Sequence, residues 1–206
     1  MTKEAIKISL TEFMDFVNNS GSSKITVVQN AKNRREEEYA QYKDYWLKFR
    51  NRIKYVHKSN GTHNDLKELL KEINQDKIDN YRLAIKGYCS FWKKRKIEWF
   101  DPPRKTWTAG EIRIEINPEL GLAIKDKVYI IKLFTTVNAS MNKRHADLIL
   151  TLMENELRSK VDEEVKFAVL DVKRGKLFES KKFDPVIVGL LYGEARSFET
   201  IWKSLN

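Results

Sequence analysis

Asp101-Pro102-Pro103 and the run Glu111-Ile112-Arg113-Ile114-Glu115-Ile116 decide how this chain is read. Consecutive prolines cannot continue a helix, and each pushes the residue before it toward extended backbone. Ahead of them apolar residues recur every three or four positions; beyond them the spacing falls to two. In the run 111–116 the isoleucines share one face of a strand, and Glu, Arg and Glu share the other. The expectation is an α+β fold: a basic helical domain over 1–101, and an α+β domain over 104–206 built from antiparallel β-hairpins packed with helices.

Upstream of the prolines, Ser9-Leu10-Thr11-Glu12 has capping-box spacing, with Leu10, Phe13, Met14 and Val17 as an apolar stripe behind it. Asn18-Asn19-Ser20-Gly21 stops that helix. A longer helix is expected over about 33–57, because Tyr39, Tyr42, Trp46, Phe49, Ile53 and Val56 follow at alternating spacings of three and four. Ser59-Asn60-Gly61 ends it. Thr62 and Asp65 repeat the capping pattern before Leu66, Leu69, Leu70 and Ile73. A fourth helix over about 76–99 carries Ile78, Tyr81, Ile85, Tyr88 and Trp92 on one side. Together these segments read as a helical bundle with short loops.

Downstream, Asn117-Pro118-Glu119 bends the alternating strand, and 121–124 with 128–134 form a hairpin around Lys125-Asp126-Lys127. A helix over 141–159 turns Ala146, Ile149, Leu150, Met153 and Leu157 inward. The apolar strand 167–172 meets Leu177-Phe178 through Lys173-Arg174-Gly175, with Gly175 suited to a left-handed turn position. Asp184-Pro185 opens a last helical region, broken or bent near Gly193.

Composition narrows the class. In 206 residues, 41% are hydrophobic and 11% aromatic, too apolar for a disordered chain. One cysteine, Cys89, cannot make an internal disulfide, which points to a reducing compartment. Lys7 interrupts the N-terminal apolar residues before a signal peptide forms, and runs such as 186–192 are too short for a bilayer. A cytoplasmic protein of bacterial type, without a membrane role, is expected. The net charge is +10. Residues 1–105 hold 23 Lys and Arg against 14 Asp and Glu, whereas 106–206 hold 16 against 15. Such asymmetry suits a polyanionic partner.

Two basic clusters carry that expectation. On the long helix Lys43, Arg50, Lys54 and Lys58 line one flank of the aromatic stripe, Lys48 and Arg52 the other, and Tyr55 falls opposite the stripe. Cations in a row neutralise phosphates and an exposed ring stacks on a base. The alternative is a core stripe flanked by lysines that lay their stems along it. The second cluster, Lys93-Lys94-Arg95-Lys96, is flanked by Trp92, Trp99 and Phe100. In the last turns of a helix each cation steadies the dipole by about 0.3–1 kcal/mol, which accounts for one or two charges but not four.

Asp171-Val172-Lys173, at the end of an apolar strand, resembles the D-x-K half of the PD-(D/E)xK nuclease signature. On that resemblance Asp171 would hold Mg²⁺ and Lys173 would help position the attacking water. Those folds place a second metal-binding acid on a strand paired with this one; here a helix intervenes, and Asp147 lies on it. Lys173 also reads as the first residue of the turn, with Asp171 accepting from local amides. No other catalytic residue is assigned. Glu111 and Glu115 share their strand face with Arg113, which makes it a solvated one. No cofactor or metal is expected: His57, His63 and His145 lack metal-ligand spacing, and no glycine-rich phosphate loop is present. The expected function is nucleic-acid binding, to DNA or RNA, with little sequence specificity and through the helical half. The alternatives are an interaction module for an acidic protein partner and, below it, a metal-dependent nuclease.

Overall fold

The computed structural model describes residues 5–36, 44–93, 95–136, 141–180 and 183–205. The alternating run becomes strand β4 (Ile112–Ile116), the centre of a three-stranded sheet between β1 (Ile6–Ser9) and β3 (Lys105–Ala109). A five-stranded sheet follows the order β2 (Ile97–Phe100), β5 (Leu120–Ile124), β6 (Lys127–Phe134), β7 (Lys166–Asp171), β8 (Lys176–Glu179). The helices are α1 (Leu10–Asn18), α2 (Ser22–Glu36), α3 (Leu47–Lys58), α4 (His63–Lys67), α5 (Ile78–Trp92), α6 (Lys143–Leu157) and α7 (Pro185–Ser204). The fold is α+β.

Local signals produced the elements nearest them. Ser9 Oγ accepts from the Glu12 amide at 3.1 Å while Glu12 accepts from the Ser9 amide at 2.8 Å, so α1 starts at the expected capping box. Thr62 and Asp65 make the same reciprocal cap on α4, which runs on as a 3₁₀ turn over Glu68–Glu72. The hairpins β5–β6 and β7–β8 pair antiparallel as read. Asp184 accepts from the Val186 amide at 2.9 Å and Pro185 stands in the first turn of α7.

Long-range pairing changed the rest. β1 pairs in parallel with β4, Ile6 opposite Ile112 and Ile8 opposite Ile114. The single helix expected over 33–57 is not formed: α2 occupies Ser22–Glu36 and α3 begins at Leu47, while Tyr39 and Tyr42 lie outside the described residues. The helix expected to reach residue 99 stops at Trp92, where Lys93 turns to φ +52°. Its last residues form β2 instead, because an edge pairing with β5 (Ile97 opposite Ile124, Phe100 opposite Gly121) satisfies their backbone and half-buries Trp99 and Phe100. A Cβ on Gly121 would stand 2.5 Å from the Phe100 carbonyl, so that pairing needs glycine. α7 runs unbroken through Gly193, where the sequence reads as a break or bend.

Two cores result, each drawing residues from both sides of Asp101-Pro102, the expected domain boundary. One gathers α1, α6 and α7 onto the three-stranded sheet and one face of β6 and β7 through Phe13, Phe16, Trp107, Ile114, Ile130, Phe167, Val169 and Phe198. The other packs α3, α4 and α5 onto the opposite face through Phe49, Ile53, Tyr81, Tyr88, Leu122, Ile131, Leu170 and Val172. At Gly87 the middle of α5 rests on the β7–β8 turn, where a Cβ would meet the Val172 carbonyl at 2.1 Å. No described helix is long and apolar enough to cross a membrane.

The α3–α5 core turns on stacked rings. Trp46, at the head of α3, stacks on Tyr81 with centroids 5.1 Å apart and packs edge-on against Phe49 at 5.8 Å. Trp46→Ala is expected to lower stability by about 3–5 kcal/mol, read as a shift in denaturant midpoint at constant m-value. An unchanged midpoint contradicts this packing.

His57 lies beneath the same helices, its Nε2 2.6 Å from the Tyr88 hydroxyl. Burial, with a smaller push from His63, lowers its pKa from 6.5 to about 4. The unfolded chain therefore takes up this proton near its ordinary value, and the folded chain takes it up only near pH 4. Stability from this residue is full above about pH 6.5 and declines by up to about 3 kcal/mol as pH falls toward 4. His63 and His145 are shifted the same way by burial. Denaturant titrations across that window should show the decline, and His57→Gln should flatten it.

Candidate nucleic-acid interface

The basic residues of α3 are largely spoken for. Arg50 is bound to Asp44, its side chain 23% exposed. Lys58 pairs with Asp101 at 3.0 Å and lies over the Trp99 ring at 5.4 Å. Lys48 donates to the Glu72 carbonyl at 2.9 Å, and Arg52 binds the Glu72 carboxylate. Lys54 makes no ion pair with a described residue and is half-buried. Burial lowers its pKa; Glu119 opposes that, and Arg104, Arg50 and Lys132 add to it. Of the cations read on this flank, Arg50 and Lys54 are half-buried and Lys58 is exposed, while Lys43 lies outside the described residues. Tyr55 does project from α3 as read, 64% exposed.

Beside Lys54 is a buried charge that no sequence pattern announced. Glu119 is 7% exposed and accepts from Lys132 Nζ at 2.7 Å and from the Leu133 amide at 2.8 Å. The Asn117-Pro118-Glu119 bend is thereby tied to β6. Each oxygen of its carboxylate accepts one such bond, and neither Lys54 nor Arg104 makes an ion pair with a described residue.

The second basic cluster is arranged differently from the helix-end reading. Lys93 caps α5, its amide donating to the Cys89 carbonyl at 2.8 Å, and Arg95 and Lys96 lead into β2. Lys94 lies outside the described residues. Arg95 lies over the Phe91 ring at 5.7 Å, and Lys96 pairs with Glu98 at 3.1 Å. Lys93 and Arg95 line a cleft of about 550 Å³ together with Lys125, Asp126 and Lys127 of the β5–β6 turn. Phe91, Ile124, Tyr129 and Leu177 supply its apolar wall. Lys93, Arg95, Lys125 and Lys127 make no ion pair with any described carboxylate. Glu179, at the same cleft, is held by the Tyr129 hydroxyl at 3.0 Å and by Lys166 at 3.5 Å.

In the sequence 125–127 reads as a turn; what marks it further is conformational. The register leaves Lys125 and Asp126 as a two-residue loop, with Lys125 at φ +55°. Asn or Gly is the usual occupant there, because a Cβ in left-handed backbone crowds the following carbonyl. Lys93 sits at φ +52° and ψ −137°, a region that suits glycine. Two cations of this cleft therefore occupy positions where a different residue would fold more easily.

The D-x-K pair reaches toward different partners. Asp171 is 2% exposed and accepts from the Met141 amide at 3.2 Å, the Arg174 amide at 3.4 Å and Arg174 Nη1 at 3.1 Å. Lys173 donates to Asn80 Oδ1 at 3.0 Å and lies over the Trp46 ring at 5.9 Å; burial lowers its pKa, against the pull of Asp171. Asp147 is bound to Lys143 on α6. Among the described residues no three His, Cys, Asp or Glu side chains gather as a metal-ligand set. No protein-family model matches the chain, and no curated protein matches it.

Lys125→Gly should raise stability by about 1 kcal/mol by removing the left-handed strain, measured by denaturant unfolding. A loss of stability would mean that the lysine side chain itself holds the turn.

Proposed function

We propose that this protein binds nucleic acid, DNA or RNA, with little sequence specificity. The observation that carries the reading is the ring of Lys93, Arg95, Lys125 and Lys127 around one cleft, without carboxylate partners among the described residues. Holding like charges together costs free energy, and a phosphate backbone offsets it while releasing its condensed counterions. Edge strand β2 extends the surface. Its Ile97 lies at the cleft end and its Phe100 beside Asp101, about 10 Å farther on. Contacts of this kind position a strand without reading base identity.

An acidic protein would satisfy the same cations. The apolar wall of Phe91, Ile124, Tyr129 and Leu177 between them favours a ligand that alternates charge with flat apolar rings, which a nucleic acid does.

The test is a titration of single-stranded DNA, duplex DNA and RNA at several salt concentrations. Four phosphate contacts predict a log–log slope of about −3 on single strands. Charge reversal of Lys93, Lys125 and Lys127 to Glu should leave the fold intact and flatten that slope to about −1. Absence of binding by the native protein at about 50 mM salt refutes the proposal.

A further inference from the structure

Resting on the nucleic-acid reading, we infer that the cleft takes a single unstacked nucleotide of a single strand, its base against the apolar wall and its phosphates on the lysine rim. Size supports this. A cleft of about 550 Å³ lies within the roughly 300–1,000 Å³ range of small-ligand sites, too small for a duplex and ample for one base and sugar.

Chemistry divides the same way. Phe91 and Tyr129 line the cleft and are only 4% and 6% exposed, so the core fixes their rings and the part of each that reaches the cleft is rigid. The guanidinium of Arg95 already lies over the Phe91 ring, 5.7 Å from its centroid, and a guanidinium is a planar group on which a base can also stack. The cations belong to the rim. Lys93, Arg95, Lys125 and Lys127 are all exposed, whereas Ile124 is buried and Leu177 half-buried. A base in a duplex is paired and stacked and cannot enter such a site, whereas a single strand offers unstacked bases at small cost. Ser90 and Asp126, both lining the cleft, are exposed polar groups available to a base edge.

The test compares three probes at one salt concentration: an oligothymidylate of about twelve nucleotides, an abasic strand of equal length, and a duplex of equal length. Stacking is worth about 1–3 kcal/mol per base, so one inserted base predicts roughly tenfold tighter binding of the oligothymidylate than of the abasic strand. The duplex should bind no better than the abasic strand. Ser90→Trp, a substitution at an exposed position on the cleft wall, fills the site; it should erase the tenfold preference and leave the salt slope in place. Lys125→Gly should weaken all three probes alike, because it removes a rim charge and no wall. Equal binding of the three probes to the native protein overturns the inserted base while leaving the electrostatic reading standing. Failure of all three to bind overturns that reading as well. A tenfold preference that survives in correctly folded Ser90→Trp places the base elsewhere and also overturns the inference.

Discussion

The parallel pair β6–β7 is covered on both faces. Every residue from Phe167 to Val172 is buried, and neighbouring side chains point alternately to the two cores. A strand in that position cannot leave either side to water, so each face requires its own layer of helices. The helix linking β6 to β7 covers one face, since parallel neighbours need a crossover connection. The other face needs a cover from elsewhere in the chain, and the aromatic stripes of α3 and α5 provide it. In this way segments on opposite sides of Asp101-Pro102 come to share cores.

The cleft follows from that covering. Gly87 lets α5 lie directly on the β7–β8 turn, which sets where the helix ends relative to the sheet. The end of α5 then faces the β5–β6 loop, and β2 departs along the sheet edge between them. Charges distant in sequence are brought around one apolar wall. The same covering consumes charge on the other side. Arg50 folds onto Asp44, Arg52 binds Glu72, and Lys54 is half-buried on the same helix.

What could be read in the sequence was whatever a few neighbouring residues settle among themselves. The Ser9 and Thr62 caps, the Asp184-Pro185 helix start, the two hairpins and the buried face of Trp46, Phe49, Ile53 and Val56 depend on contacts within a turn or two. Asp171 was legible for the same reason, because two of its three donors lie in the turn that follows it. Charge balance was legible too, since it is a property of composition.

Tertiary structure decided what a residue's neighbourhood leaves open. Ile97–Phe100 follows the cations 93–96 and reads as the end of a helix, yet it becomes a strand because β5 offers backbone partners. Ile6–Ser9 is too short to announce itself and is held by β4, far along the chain. Whether a cation is available is likewise nonlocal, since it depends on which carboxylate the fold brings within reach. Lys58 meets Asp101 and Lys96 meets Glu98, while Lys93, Arg95, Lys125 and Lys127 line one cleft. Sequence sets how much charge the chain carries; only packing decides where that charge stays unpaired, because pairing needs proximity and proximity is made by the core.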